Sequence, residues 1–182
     1  LQTLTASGMD GLLEVLAVSH AGISVDAFQA DVSDWLQTAR HPTTDMVYGQ
    51  MIYQPMLELL RYLRDEDFQT WIVSGGGIHF VRAFAEEAYG IPPEQVVGSS
   101  TPTEYSVIDG VPTITKLPGI AFVDDKAGKP VGIDTHIGRR PIFASGNSDG
   151  DYQMLEYTMA GDGARFAMLL HHTDAEREFA YD

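Results

Sequence analysis

Apolar residues between positions 54 and 90 predict a helix, a buried strand and a second helix. Pro55 opens a helix whose apolar positions recur at helical spacing, at Met56, Leu59, Leu60 and Leu63. Residues 71–73 are the apolar run of a buried parallel strand, which ends at Ser74 and leads into three glycines. A second apolar stripe, at positions 78, 81, 84, 85 and 88, predicts a helix that stops at Gly90.

The rest of the chain continues this alternation. Residues 96–99, 142–145 and 166–170 are predicted strands, and residues 127–137 and the stretch after 151 are predicted helices. Residues 104–108 and 111–115 flank Asp109-Gly110, which predicts a β-hairpin with a two-residue turn. Thr173 and Glu176 have the spacing of a capping box for a last helix. Strands that alternate with helices predict an α/β fold with a parallel sheet, from which the hairpin is an excursion.

The first part of the chain has a different pattern. Residues 1–40 carry two apolar stripes at helical spacing, and Ser24 is the predicted N-cap of the second helix. We therefore expect a helical region over residues 1–50 and an α/β core over residues 51–182.

Composition narrows the possible partners. The 182 residues include 26 acidic and 11 basic residues, and the net charge of -15 disfavours nucleic acid and anionic membranes. No apolar run has membrane length and no signal peptide is visible, so we predict a cytoplasmic protein without membrane contact. The absence of cysteine excludes thiolate chemistry.

Three polar segments are predicted to meet at one edge of the sheet. They are Ser74 with Gly75 and Gly76, Lys129 at a helix start, and the turn over residues 146–151. A phosphoryl group needs such a set: N–H and hydroxyl donors, a lysine to offset charge, and oxygen ligands for Mg²⁺. Each segment also has a simpler interpretation, since Ser74 and Asp151 suit helix caps and a lysine is usually a solvated surface residue.

In order and setting, these motifs resemble those of the haloacid dehalogenase superfamily, in particular its phosphoserine phosphatase-like branch. The resemblance covers residues 54–175 and implies a Rossmann-like parallel sheet flanked by helices, preceded by the remnant of a helical cap. It implies that Ser74 and Lys129 are catalytic, that both bind phosphate together with Gly75 and Gly76, and that Asn147 and Asp151 lie on the Mg²⁺ side. Lys126 is the alternative to Lys129; we expect the Lys129 ammonium to be the one nearer the Ser74 hydroxyl.

One motif of the superfamily is missing. Its nucleophile lies in a DxDx[TV] sequence after the first strand, and this chain has none. Asp149 and Asp151 have the spacing but belong to the last turn, whereas Asp124 and Asp125 lack it. The resemblance therefore implies a nucleophile and a first strand upstream of Leu1, with the end of the last region also lost.

The sequence thus predicts a Mg²⁺-dependent phosphomonoesterase that acts on a small phosphorylated metabolite through an aspartyl-phosphate. We expect the 182-residue chain alone to be inactive. We also expect a groove in the sheet beside the Ser74 and Ile142 strands, filled by the upstream segment or by a partner chain through self-association. The alternative is a non-catalytic α/β module that binds an anionic small molecule at the Ser74 loop.

Overall fold

The computed structural model describes residues 20–176 of the chain. They form an α/β fold whose six helices and six strands are, in chain order, α1 Val25–Thr38, α2 Gln54–Asp65, β1 Ile72–Gly77, α3 Ile78–Arg82, α4 Ala85–Tyr89, β2 Val96–Ser99, β3 Thr103–Ile108, β4 Val111–Lys116, α5 Gly128–His136, β5 Phe143–Gly146, α6 Tyr152–Met159 and β6 Phe166–Leu169. Short 3₁₀ turns occur at Tyr48–Gln50, Pro93–Gln95 and Asp149–Asp151.

The strands pair two by two. β1 runs parallel to β2 and β5 runs parallel to β6, whereas β3 and β4 form the antiparallel hairpin. These parallel pairs and their helices confirm the predicted α/β class. No ladder joins β1 to β5 within the described part of the chain.

A groove separates β1 from β5. Its volume is about 890 Å³, and its walls include residues 69–74 on one side and residues 139–145 on the other. Helix α5 supports both walls, because its buried Ile133 forms a cluster with Ala144 of β5 and Met154 of α6, and Val73 of β1 packs against this cluster. A second cluster, around Ile91 and Val96, fixes the far side of β1. The two strand pairs are therefore held by a common helix while their facing edges remain apart.

Local sequence signals explain where several elements begin and end. The Ser24 hydroxyl accepts a hydrogen bond from the Ala27 N–H and caps α1, as predicted. Gly90 ends α4 with φ +66°, and Asp109 and Gly110 turn the hairpin with φ +51° and +82°, all in the left-handed region. The earlier apolar stripe lies outside the described residues. Of the helix predicted after Thr173 only the start is described, where residues 175–176 form a turn and the Glu176 N–H donates to Asp174 Oδ1.

Helix α1 packs against α3 and β4. The Gly22 N–H donates to the Lys116 carbonyl, and the Lys116 N–H donates to the Ile23 carbonyl, which fixes the entry to α1 on the hairpin. The boundary near residue 50 stays a prediction. No helix in residues 20–176 is long and apolar enough to cross a membrane.

The single helix predicted after the three glycines is in fact two short helices. The chain breaks at Phe84, which has φ -134° and ψ -10°. This conformation brings the Phe84 ring against Phe80 and Tyr89, with centroid distances of 5.8 and 6.0 Å. Aromatic packing offsets the lost helical hydrogen bonds, an effect that the apolar spacing alone does not reveal.

Candidate active site

The segments 74–77, 124–129 and 146–151 are joined by hydrogen bonds at the carboxyl ends of β1 and β5. The Ser99 hydroxyl donates to the Gly75 carbonyl at 2.8 Å and accepts from the Asp124 N–H at 2.9 Å. The Lys126 N–H donates to the Gly150 carbonyl at 3.1 Å. The structure therefore brings together the three polar segments that the sequence predicted at one edge.

The 74–77 loop is shaped by Ser74. The β1–β2 register is regular up to the pair Ser74 and Gly98 and then shifts before Gly77. At the shift, the Gly76 N–H donates to the Ser74 hydroxyl at 3.1 Å. Gly75 and Gly76 are exposed, so their backbone can approach a ligand without side chains between.

Lys129 connects the other two segments. Its side chain is 7% exposed, and its ammonium donates to the Val73 carbonyl and to Asp151 Oδ1, both at 2.8 Å. Val73 directly precedes Ser74. The ammonium is therefore held between the end of β1 and the turn after β5.

Asp151 uses both of its carboxylate oxygens. Oδ2 accepts from the N–H groups of Asn147 and Ser148 at 2.8 and 3.2 Å, while Oδ1 faces Lys129. Burial raises the pKa of Asp151, but the bonds from Lys129 and from the two N–H groups more than offset it, so this pKa lies below its ordinary value. Asp151 therefore organises the turn and holds Lys129.

Lys126 differs from Lys129 in its setting. Lys126 is exposed and its backbone has a φ of +50°. It contacts the site through its backbone N–H, which donates to the Gly150 carbonyl. Which ammonium lies nearer the Ser74 hydroxyl stays a prediction.

Two carboxylates beneath and beside the loop were not predicted as site residues. Asp124 is fully buried, and neither of its oxygens has a partner with normal hydrogen-bond geometry. Burial raises the pKa of Asp124 to about 6. The Lys129 ammonium and the nearby Ser74 N–H act in the opposite direction, because both favour the charged carboxylate. Exposed Asp125 lies between Gly75 and Gly150. A Cβ atom placed on Gly75 would lie 3.8 Å from Asp125 Oδ1, and a Cβ atom placed on Gly150 would lie 2.5 Å from it.

Asn147 is positioned by a histidine that follows β6. His172 is 2% exposed, its Nε2 lies 3.2 Å from the Asn147 amide nitrogen, and its Nδ1 lies 3.1 Å from the Tyr53 hydroxyl. The amide nitrogen can only donate, so with the amide in this orientation Nε2 is the acceptor. The sequence offered no spacing that links residues so far apart in the chain.

The donor chemistry fits Mg²⁺ only in part. Asn147 offers an amide oxygen, but both oxygens of Asp151 already accept hydrogen bonds. Among residues 20–176, no group of three acidic or histidine side chains is placed to hold a metal. Mg²⁺ binds through one or two carboxylates with water and substrate phosphate, so Asn147 and Asp151 would need a further carboxylate.

Comparison with known proteins identifies the family. The sequence model of the family of haloacid dehalogenase-like hydrolases matches residues 1–156, and the chain belongs to this family. No curated protein matches the chain.

Two solved structures are similar to the chain. A functionally unknown protein from Anaerococcus prevotii has 21% sequence identity and a TM-score of 0.60. The match covers 85% of this chain and 46% of that protein's chain. A phosphoserine phosphohydrolase-like protein from Francisella tularensis has 20% sequence identity and a TM-score of 0.48. The match covers 87% of this chain and 68% of that protein's chain. The first supports the fold, and the chain spans about half of that protein's length.

Proposed function

We propose that the protein is a Mg²⁺-dependent phosphomonoesterase that acts on a small phosphorylated metabolite through an aspartyl-phosphate. The observation that carries this proposal is the convergence of the 74–77 loop, the Lys129 ammonium and the 146–151 turn at one edge of the fold. Family membership supports hydrolytic chemistry. A cytoplasmic location, where small phosphorylated metabolites are plentiful, is part of the same proposal.

Each of these residues has a defined role in the proposal. The Ser74 hydroxyl and the Gly75 N–H bind phosphoryl oxygens, and Gly76 serves the same site because its N–H, which donates to the Ser74 hydroxyl, orients that hydroxyl toward the phosphate. Lys129 offsets their charge; two of its three N–H groups are engaged by Val73 and Asp151, which leaves one for the ligand. Because these contacts fix the ammonium before substrate arrives, little reorganisation is needed when charge develops.

Mg²⁺, when bound, would neutralise phosphoryl charge and orient the group for attack. Asn147 and Asp151 would lie on its side of the site. The nucleophile would come from outside the 182-residue chain, since the DxDx[TV] sequence is missing from it, and either that segment or exposed Asp125 would supply the further carboxylate.

The groove between β1 and β5 is the proposed place for that nucleophile. Strands β1 and β5, each a member of a parallel pair, line its two sides, and no ladder joins them within the described residues. Backbone groups along such edges need partners. An extended apolar segment of the whole protein, parallel to both strands and ending in aspartate, would pair with them and bring a carboxylate beside Ser74 and Lys129.

Hydrogen exchange tests this placement. We expect amides along the two facing edges, in residues 72–74 and 143–145, to exchange more slowly in the full-length protein than in the 182-residue chain. Strand β6, on the far side of β5, serves as the internal control. Equal protection of β1 and β5 in both proteins would exclude an added strand, and concentration-dependent protection of the short chain would indicate self-association instead.

The enzyme assay tests the function directly. Full-length protein should hydrolyse phenyl phosphate with Mg²⁺, lose turnover with EDTA and regain it when Mg²⁺ is restored. The 182-residue chain alone should give neither turnover nor a burst, because binding groups without an in-line carboxylate leave the covalent step uncatalysed. Metal-independent turnover, or a burst from the short chain, would contradict the mechanism.

The second candidate is a non-catalytic module that binds an anionic small molecule at the 74–77 loop. The observation that favours it is the presence of donors and a lysine without a DxDx[TV] sequence. Inorganic phosphate would then raise the unfolding temperature of the full-length protein equally with and without Mg²⁺, and no phosphomonoester would be hydrolysed.

A further inference from the structure

A second cavity adjoins the 74–77 loop, lined by Gly75, Gly76 and Gly77. Its volume is about 600 Å³, within the range of small-molecule sites. Residues 75–77 form one wall, α1 forms another, and the end of β4 forms a third. Much of the lining is aromatic, from Phe28, Trp35 and Phe80. A group bound at the loop would therefore have an apolar chamber beside it.

Lys116 is the buried cation of this chamber. It is 7% exposed, and its backbone is fixed by the bonds to Gly22 and Ile23. Its ammonium lies 3.4 Å from His79 Nδ1, 3.3 Å from the Thr101 hydroxyl and 4.5 Å from the centre of the Phe28 ring.

These three neighbours of Lys116 are neutral. Burial, with the nearby charges of Lys116 and Arg82, lowers the pKa of His79 to about 4, so its ring is uncharged at pH 7 and Nδ1 accepts from the ammonium. The ion pairs within residues 20–176 are those of Arg40 with Asp45 and of Lys129 with Asp151. Asp31 lines the same cavity but lies beyond ion-pair distance. Lys116 thus has hydrogen-bond partners but no counter-ion in the described structure.

A buried ammonium without a counter-ion is costly, and an anionic ligand would remove that cost. The protein's net charge of -15 provides no general attraction for anions, so a specific cation is needed wherever one binds.

We propose that Lys116 is a specificity residue that receives an anionic group, a carboxylate or a second phosphate, on the leaving-group part of the substrate. The inference rests on the proposed function, since the 74–77 loop is taken to hold the reacting phosphate. The substrate is then a phosphomonoester with two anionic ends joined by an apolar or aromatic body.

Matched aryl phosphates test this subsite in the full-length protein. Phenyl phosphate has one anionic end, para-carboxyphenyl phosphate adds a carboxylate, and para-phenylene bisphosphate adds a phosphate. We expect the KM of the wild type to be about tenfold to a hundredfold lower for one or both of the esters that carry a second anionic end than for phenyl phosphate. This factor is the range of a charge-assisted hydrogen bond. Whichever ester is favoured identifies the anion.

Lys116→Met should abolish this preference, measured as the ratio of the KM values of two esters in the same variant, whereas Lys116→Arg should keep it. Arg61→Met, which removes an exposed charge on α2, is the matched control and should behave as the wild type. Unfolding temperatures show whether Lys116→Met is folded. An equal preference in Lys116→Met and the wild type, or none in the wild type, would overturn the proposal and show that Lys116 is structural.

Calorimetry with para-carboxybenzyl phosphonate and benzyl phosphonate separates this proposal from the enzyme assignment. These probes bind without turnover. A Lys116-dependent preference for the carboxylated probe, in a protein that hydrolyses none of the esters, would retain the subsite and reject the phosphatase. Turnover of phenyl phosphate with no preference for either probe would do the reverse.

Discussion

Lys129→Met should destabilise the protein by about 3–5 kcal/mol, the usual cost of removing one partner from a buried ion pair. Asp151 is only 7% exposed, and the substitution leaves its carboxylate with two backbone N–H donors but no cation. It also removes the donor to the Val73 carbonyl at the end of β1. Chemical unfolding monitored by tryptophan fluorescence measures the change in the free energy of unfolding.

Lys126→Met is the matched control, because it removes the same charge three residues away at an exposed position. Its effect should stay within about 0.5 kcal/mol. The double variant Lys129→Met, Asp151→Asn should recover part of the loss, since it leaves no unpaired charge. Equal destabilisation by the two single substitutions would mean that Lys129 is not the structural cation of the site.

The Lys129 contacts show which part of the site follows from sequence. Ser74, Lys129 and Asp151 each lie at a strand end or helix start, so local pattern and parallel topology are enough to place them at one edge. Local signals likewise predicted the Ser24 cap, the left-handed Gly90 and the Asp109-Gly110 turn.

The unpredicted site residues depend on contacts between distant parts of the chain. Ser99 joins Gly75 to Asp124 across separations of 24 and 25 residues, and His172 reaches Tyr53 across 119. Lys116 ends a hairpin strand that is otherwise largely exposed, and nothing in its local sequence indicates burial. These roles arise only when the hairpin, α1 and the 74–77 loop pack together.

The groove between β1 and β5 lies where the missing DxDx[TV] strand predicts one, beside the strands of Ser74 and Ile142, and only its support depends on contacts that the sequence does not predict. Apolar strands predict a sheet, but whether two neighbours form hydrogen bonds depends on what lies between them. Here α5 holds both strands through Ile133, and the ladder between them is absent from the described structure.

Asp124→Asn should stabilise the protein above pH 6, because it removes the loss of stability that this carboxyl causes as the pH rises from about 4 to about 6. In the wild type, burial raises the pKa of this fully buried carboxyl from 3.8 to about 6. The folded state therefore binds the Asp124 proton more tightly than the unfolded state. This contribution to stability is complete below about pH 4 and is lost as the pH rises through about 6.

The shift from 3.8 to about 6 corresponds to about 3 kcal/mol at neutral pH. The gain from Asp124→Asn should be smaller, about 1–2 kcal/mol, because a buried amide in the same place also lacks partners. Unfolding measured at several pH values gives the slope, and Asp125→Asn, at the exposed neighbour, should retain the wild-type slope. His79, whose pKa is lowered from 6.5 to about 4, contributes a change of opposite sign over the same range, so the quantity to compare is the difference between variant and wild type at each pH. A difference that does not grow between pH 4 and 6 would show that Asp124 is stabilised in its charged form by Lys129 and the Ser74 N–H.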